Sequence, residues 1–186
     1  MGFSRNFTNV GGGAVINVQY VEGIILSGID FIDVTISSVI VANSTIDISQ
    51  GVARPGTADT REGGTAFFIN STTIRIDRTG SSQPLTTMPH KIFVTQYNAS
   101  VIKSKQEVIV LIAGIGTPTS QTATITSVNL AKAKIVDAGH YLALAGTLSE
   151  NGIGWKFNSS TQIEANTGTA NAPAVDHCAC QIIEYN

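Results

Sequence analysis

The chain contains a faint copy of itself. Asn158-Ser159-Ser160-Thr161, followed by Thr167-Gly168, echoes Asn70-Ser71-Thr72-Thr73, followed by Thr79-Gly80, at an offset of 88 (158 − 70). The closing Ile182-Ile183-Glu184-Tyr185-Asn186 echoes Val94-Thr95-Gln96-Tyr97-Asn98 at the same offset. Upstream, Thr124-Ile125-Thr126-Ser127-Val128 echoes Thr35-Ile36-Ser37-Ser38-Val39 at 89. Three blocks in one order at nearly constant spacing imply two diverged copies of one unit. The expected organisation is an N-terminal arm over 1–13, a first copy over 14–98 and a second over 99–186. Each copy is short enough that its core alone is thin, so packing between copies or between chains is expected to contribute.

The local pattern is that of strands. Val34-Thr35-Ile36-Ser37 and Thr45-Ile46-Asp47-Ile48-Ser49 alternate apolar with polar side chains, and so do Thr122–Thr126 and Ala131–Ile135. A period of two predicts half-buried strands. Glu107-Val108-Ile109-Val110-Leu111-Ile112-Ala113 is a continuous apolar run after its glutamate. That pattern predicts a strand buried on both faces. Asn70-Ser71 and Asn158-Ser159 read as hairpin turns, and the Gly- and Pro-containing stretch from Gln50 to Gly64 as a long loop. No stretch carries a sustained helical period. The predicted class is all-β: two tandem antiparallel β-sandwiches, Ig-like or jelly-roll-like, from a repeat of about 88 residues.

Charge narrows the partners. Only 13% of residues are charged and the formal net charge is −2. Nothing here attracts a polyanion, so neither nucleic acid nor an anionic membrane is an expected partner. The apolar stretch from Ala14 to Ala42 is interrupted by Glu22, Asp30 and Asp33, so it is not read as a membrane span. The first residues carry no apolar core of a signal peptide. Cys178 and Cys180 lie two apart, which on a strand places them on one face, too far apart and too parallel for a mutual disulfide. Both are expected to be reduced and buried, with Cys180 filling core.

Candidate chemistry is sparse. His177 and Cys178 face opposite sides of a strand and cannot converge on one ion, so no metal and no cofactor is expected. His140 stands near Asp137, but no serine sits in a nucleophile context, and no catalytic residue is assigned. The asparagines of five Asn-x-Ser/Thr triplets (Asn6, Asn43, Asn70, Asn98 and Asn158) are read as turn residues.

One asymmetry points to partners. The arm and first copy hold every arginine, at Arg5, Arg54, Arg61, Arg75 and Arg78, with Lys91 the one lysine. The second copy has lysines at 103, 105, 132, 134 and 156 and no arginine. Arginine is enriched at protein interfaces and lysine depleted. Together with Phe3 and Phe7 of the arm, the arginines are the candidate assembly contacts. His140, Tyr141 and Trp155 are candidates for contact with a receptor or glycan, against a core role for Trp155 suggested by Phe67 at the matching position of the first copy.

Three segments of the second copy resemble a known family. Thr122-Ala-Thr-Ile-Thr-Ser-Val-Asn-Leu-Ala-Lys-Ala, Lys156-Phe-Asn-Ser-Ser-Thr-Gln-Ile-Glu-Ala-Asn and Cys180-Gln-Ile-Ile-Glu-Tyr-Asn are similar to a β-sandwich repeat of bacteriophage tail-fibre and other virion-appendage proteins. Members share T-A-T-I-x-x-V-D-x-x-K, L-x-N-S-T-x-I-x-A and a closing V-x-x-x-V-V-E-[FY]. Asn129 stands where the acidic residue is usual. The match covers about 80 residues of the second copy and reaches the first only through the internal repeat. The resemblance implies a non-enzymatic structural protein of a tailed-phage virion: tail, tail fibre, neck or capsid decoration. It implies a homo-oligomer, a trimer by first expectation, contacting other virion proteins. A displayed module binding a host-surface glycan or receptor is the alternative.

Overall fold

In a computed structural model, residues 4–8, 14–50, 64–78, 87–112, 120–142, 153–166 and 176–186 are described. The first part of the chain forms β1 (Ser4–Thr8), β2 (Val15–Ile25), β3 (Phe31–Thr35), a 3₁₀ turn at Val41–Asn43, β4 (Ser44–Gln50), β5 (Gly64–Asn70), β6 (Thr73–Asp77) and β7 (Met88–Tyr97). The second forms β8 (Ile102–Ile112), β9 (Ser120–Thr124), a 3₁₀ turn at Leu130–Lys132, β10 (Ala133–Leu142), β11 (Gly154–Ser159), β12 (Gln162–Asn166) and β13 (Asp176–Tyr185). The chain is all-β, and among the described residues every strand pair is antiparallel.

Among the described residues the strands form three sheets, in the orders β1-β2-β7-β4, β3-β6-β5-β10-β13-β8 and β11-β12-β9. The middle one draws half its strands from each part of the chain. Its first half packs on the β2-β7-β4 sheet through Val21, Ile25, Ile46, Ile74, Ile76, Ile92 and Val94. Its second half packs on the β9-β12-β11 sheet through Ile125, Ile163, Cys180 and Ile182. The two outer sheets lie against opposite faces of the middle one. Cys180 and Ile182 point into the second core, whereas Gln181 between them points the other way and meets β4, accepting the Ile46 N–H at 2.8 Å.

The order of elements in 99–186 repeats that in 14–98, including the 3₁₀ turn ahead of β4 and β10. So do the pairings: β2-β7-β4 corresponds to β8-β13-β10, and β3-β6-β5 to β9-β12-β11. Side chains repeat with them. Gln19 is fully buried and clamps the Ser37 backbone, accepting its N–H at 2.7 Å and donating to its C=O at 2.9 Å. Gln106 grips Thr126 in the same way, at 2.7 and 3.0 Å. Each clamp ties the first strand of its half to the segment following the edge strand of the facing sheet. Replacing Gln19 with leucine removes both bonds from a dry site, at about 2 kcal/mol. The same change at the half-exposed Gln106 costs less, because water replaces part of what is lost. Chemical denaturation of the two variants side by side checks this order.

Several expectations shift. The β5–β6 hairpin aligns with β11–β12 at 89, not 88. Ile36 N–H donates to Thr72 C=O, as Ile125 does to Thr161, and Val39 donates to Ser71 as Val128 does to Ser160. Asn70 therefore corresponds to Ser159. Asn70 Oδ1 accepts the Thr72 N–H at 2.8 Å, and Ser159 Oγ accepts that of Thr161 at 3.2 Å. Asn158 instead donates across the hairpin to Glu164 at 3.0 Å. Asn98 has the expected turn role, accepting the Ser100 N–H at 3.1 Å. The later part of β8 is buried on one face only: Ile109 is 62% and Leu111 45% exposed, because β8 ends the middle sheet and β4 reaches its outer face only near Lys105. Ala131 and Lys132, read as the start of a strand, belong instead to the 3₁₀ turn Leu130–Lys132, capped by Asn129, whose side chain accepts the Ala131 N–H at 3.1 Å.

Candidate functional site at the joint of the two halves

The two halves meet where β5 pairs with β10 for two residues, Thr65 opposite Gly139 and Gly64 opposite His140. The approach depends on a bulge. β10 pairs regularly with β13 up to Asp137, then slips before His140. Gly139 sits in the slip at φ +97°, and a Cβ there would run into the Gly64 carbonyl oxygen and Ile48. Glycine alone combines that backbone angle with that closeness.

A polar latch lies on the β4 side of the joint. Lys105, almost wholly buried, donates to the Ser44 carbonyl at 3.1 Å and to Glu107 at 3.0 Å, with its ammonium 4.6 Å from the Phe68 ring centre. Burial holds the Lys105 pKa below that of a free lysine, with Glu107 opposing. Gln181 bridges Ile46 to Glu107. Beside the latch is an apolar cavity of about 130 Å³ lined by Phe67, Ile109, Ala138 and Ala179 with Glu107 and Gln181 at its polar side.

On the opposite face, Trp155 Nε1 donates to Asp137 at 3.2 Å, and the Gly139 N–H donates to the same carboxyl oxygen, also at 3.2 Å. Asp137 keeps an edge open to solvent, yet the protein crowded around it raises its pKa above the usual carboxylate value, with those two donors opposing. His140 is shifted down by burial, against the attraction of Asp137. Burial pushes the Cys180 thiol up to about 12, so it stays protonated and is no nucleophile. Both cysteines are free and buried, as expected, and Cys180 fills core.

His90, on β7 opposite Gly23, lies near Gly64 and is fully buried. Neither of its ring nitrogens has a partner among the described residues. Burial first, then the nearby Arg78 charge, lowers its pKa to about 4. Among the described residues no group of three or more His, Cys, Asp or Glu side chains could hold a metal ion, and no helix is long and apolar enough to cross a membrane.

The candidate assembly residues scatter. Arg78 is 1% exposed and engaged inside the chain, donating to the carbonyls of Ile29 at 3.0 Å and Leu26 at 2.8 Å. It pins the β2–β3 connection rather than presenting a charge outward. Arg75 lies on the outer face of the middle sheet, joined to Asp33 by two bonds of 2.7 and 2.9 Å and stacked on the Phe31 ring at 3.9 Å. Arg5 and Phe7 lie in β1, paired in register with Tyr20 and Val18. Phe3, Arg54 and Arg61 fall outside the described residues. Of the candidate receptor contacts, Trp155 and His140 share Asp137, and Tyr141 pairs in register with His177. Trp155 is half-buried against both clusters of the second half. Its counterpart is Ala66, since Trp155 pairs with Ala165 as Ala66 pairs with Ile76.

Sequence reasoning did not single out Gln181 or Lys105. A signal existed for the first: it is the one polar residue in Cys178-Ala-Cys-Gln-Ile-Ile183, a core strand where a polar side chain needs a partner. Comparison of the chain with protein-family models, with curated proteins and with solved structures found no match.

Proposed function

We propose that this chain is a non-enzymatic structural component of a tailed-phage virion, built from two tandem copies of one β-sandwich unit and acting by oligomeric scaffolding in a tail, tail fibre, neck or capsid-decorating appendage. The observation that carries the reading is the repetition of strands, pairings and glutamine clamps between the two halves, with the first half's second sheet running on into the second half's first. Sandwich units that extend one another's sheets suit a part whose task is to hold shape. The resemblance of 122–133, 156–166 and 180–186 to virion-appendage repeats supports the particle context. On this reading the protein contacts itself and other virion proteins, through backbone pairing and surface fit.

The reading is tested on particles. Mass spectrometry of density-purified virions from a phage encoding this chain is expected to find it at a fixed copy number, in a multiple set by the symmetry of its location. Its absence from purified particles, with presence in the lysate, would overturn the proposal. The alternative, a displayed module binding a host glycan or receptor, has less support, since the Trp155 ring and indole N–H are both engaged within the chain.

A further inference from the structure

β8 lacks a neighbour that its counterpart has. β2 and β8 correspond at an offset of 87 (106 − 19), since Gln19 stands opposite Val94 in β2–β7 as Gln106 stands opposite Ile182 in β8–β13. In the first half, β1 pairs along the outer edge of β2 from Asn17 to Val21. Among the described residues, no strand pairs along the outer edge of β8. Burial records the difference: Gln19 and Val21 are 0% and 2% exposed, whereas Gln106 and Val108 are only half-buried. Past the reach of β1, the β2 edge continues as Glu22-Gly23-Ile24-Ile25, with a charge and a glycine. The matching run of β8, Ile109-Val110-Leu111-Ile112, has neither. Charges on a strand that ends a sheet discourage pairing with another chain, and β1 carries Arg5, β3 Asp33 and β11 Lys156. β4 bonds β8 at Lys105, through the Ser44 carbonyl, ahead of the apolar run. In that run Ile109 and Leu111 stand open on the outer face.

We propose that the Val108–Ile112 stretch of β8 pairs with the same stretch of a second copy of this chain, antiparallel about a two-fold axis at Val110, so that the two middle sheets run on as one. The occupant is a second copy because the run is its own complement. Under this two-fold, Val110 stands opposite the second copy's Val110, Ile109 opposite its Leu111 and Val108 opposite its Ile112. Every such pair is apolar, and the exposed Ile109 and Leu111 cover one another across the seam. An axis at Glu107 would set that carboxylate against itself, which is unfavourable. The second copy's β1 is a poorer occupant, since it already bonds its own β2 and would leave that edge bare on moving. A contact of this isologous kind closes at two chains. One short strand pairing buries less than a standard interface, so the dimer is expected to be reversible and to form with concentration. The inference rests on the self-assembly in the proposed function and supplies a contact for it, whatever the particle.

The test uses the full chain. Its light-scattering mass is expected to rise with concentration from one chain toward two. Ile109→Lys, at an exposed position, is expected to hold the mass at one chain while leaving the unfolding midpoint little changed. A mixture of the Ile109→Cys and Leu111→Cys chains, oxidised together, is expected to form a covalent dimer faster than either variant alone, because those two positions face each other across the two-fold. The native Cys178 and Cys180 are buried. A single chain at every concentration, without cross-links, overturns this contact and leaves the particle experiment to decide the virion reading. A multimer that neither cross-links in the mixture nor responds to Ile109→Lys overturns this contact while leaving the scaffolding reading standing. A multimer that Ile109→Lys dissolves, but whose mixed cysteines link no faster than the single variants, puts another strand or another register on the edge and overturns the pairing at Val110.

Discussion

Gly139→Val is expected to cost about 4 kcal/mol or more, the largest effect of any single substitution considered for this chain. Two penalties coincide. The residue sits at φ +97°, where a β-branched side chain is strained, and its Cβ would meet the Gly64 carbonyl oxygen and Ile48. Relief requires β10 to move off β5, which opens the pairing that joins the halves. Gly28→Val separates the causes: φ is +78° there, but nothing lies within 4 Å of an added Cβ. That variant carries the backbone strain without the collision and is expected to lose about 1–2 kcal/mol. Denaturant titrations of both variants make the comparison. Equal losses would mean that closeness at the joint contributes nothing.

The second large effect is on acid stability. The His90 pKa is about 4 in the folded protein, against roughly 6.5 in an unfolded chain. As pH falls below the unfolded value, the unfolded state takes up a proton that the folded state refuses. Stability therefore drops between about pH 6.5 and 4 and levels off below, with a total loss of about 3 kcal/mol from this group. Burial shifts His140 and His177 in the same direction, so they add to the loss. The raised carboxyl of Asp137 works against it, because the folded state binds that proton more readily. His90→Leu isolates the contribution. The variant's stability, followed from pH 7 to pH 4 by urea unfolding, is expected to fall much less than that of the parent. Parallel curves would show that His90 does not titrate in this range.

How far the sequence carried these conclusions depends on which residues set the spacing. The blocks at 35–39 and 124–128 were legible because both segments follow a surface strand and turn into the core through the same Ile and Val. The closing strands were legible because β7 and β13 each sit between two neighbours in their half-sheets and end on the same Tyr-Asn pair, Tyr97-Asn98 and Tyr185-Asn186. The hairpin misled by one residue. Asn70-Ser71-Thr72-Thr73 and Asn158-Ser159-Ser160-Thr161 match at three of four letters, but the turn needs only a short side chain that accepts the second amide onward, and Ser159 serves as well as Asn70. That slip moved the partner of Trp155 from Ala66 to Phe67. The glutamine clamps stayed hidden for a related reason: Gln19 and Gln106 lie 87 apart while Ser37 and Thr126 lie 89 apart, so no single offset aligns them. The exposure of Ile109 and Leu111 was not legible either, since an apolar run does not say whether a second sheet reaches its outer face.

The shared middle sheet bears on how the molecule comes apart. The two halves are linked in sequence by a short turn in which Val101 N–H donates to Asn98 C=O, but in space a strand from each is bonded to the other within one sheet. Melting either half strips a neighbour from the middle sheet and uncovers the surface where β4 lies on β10 and β13. Unfolding is therefore expected to be a single cooperative transition, with calorimetric and van't Hoff enthalpies in agreement, even though the strand pairings of one half recur in the other.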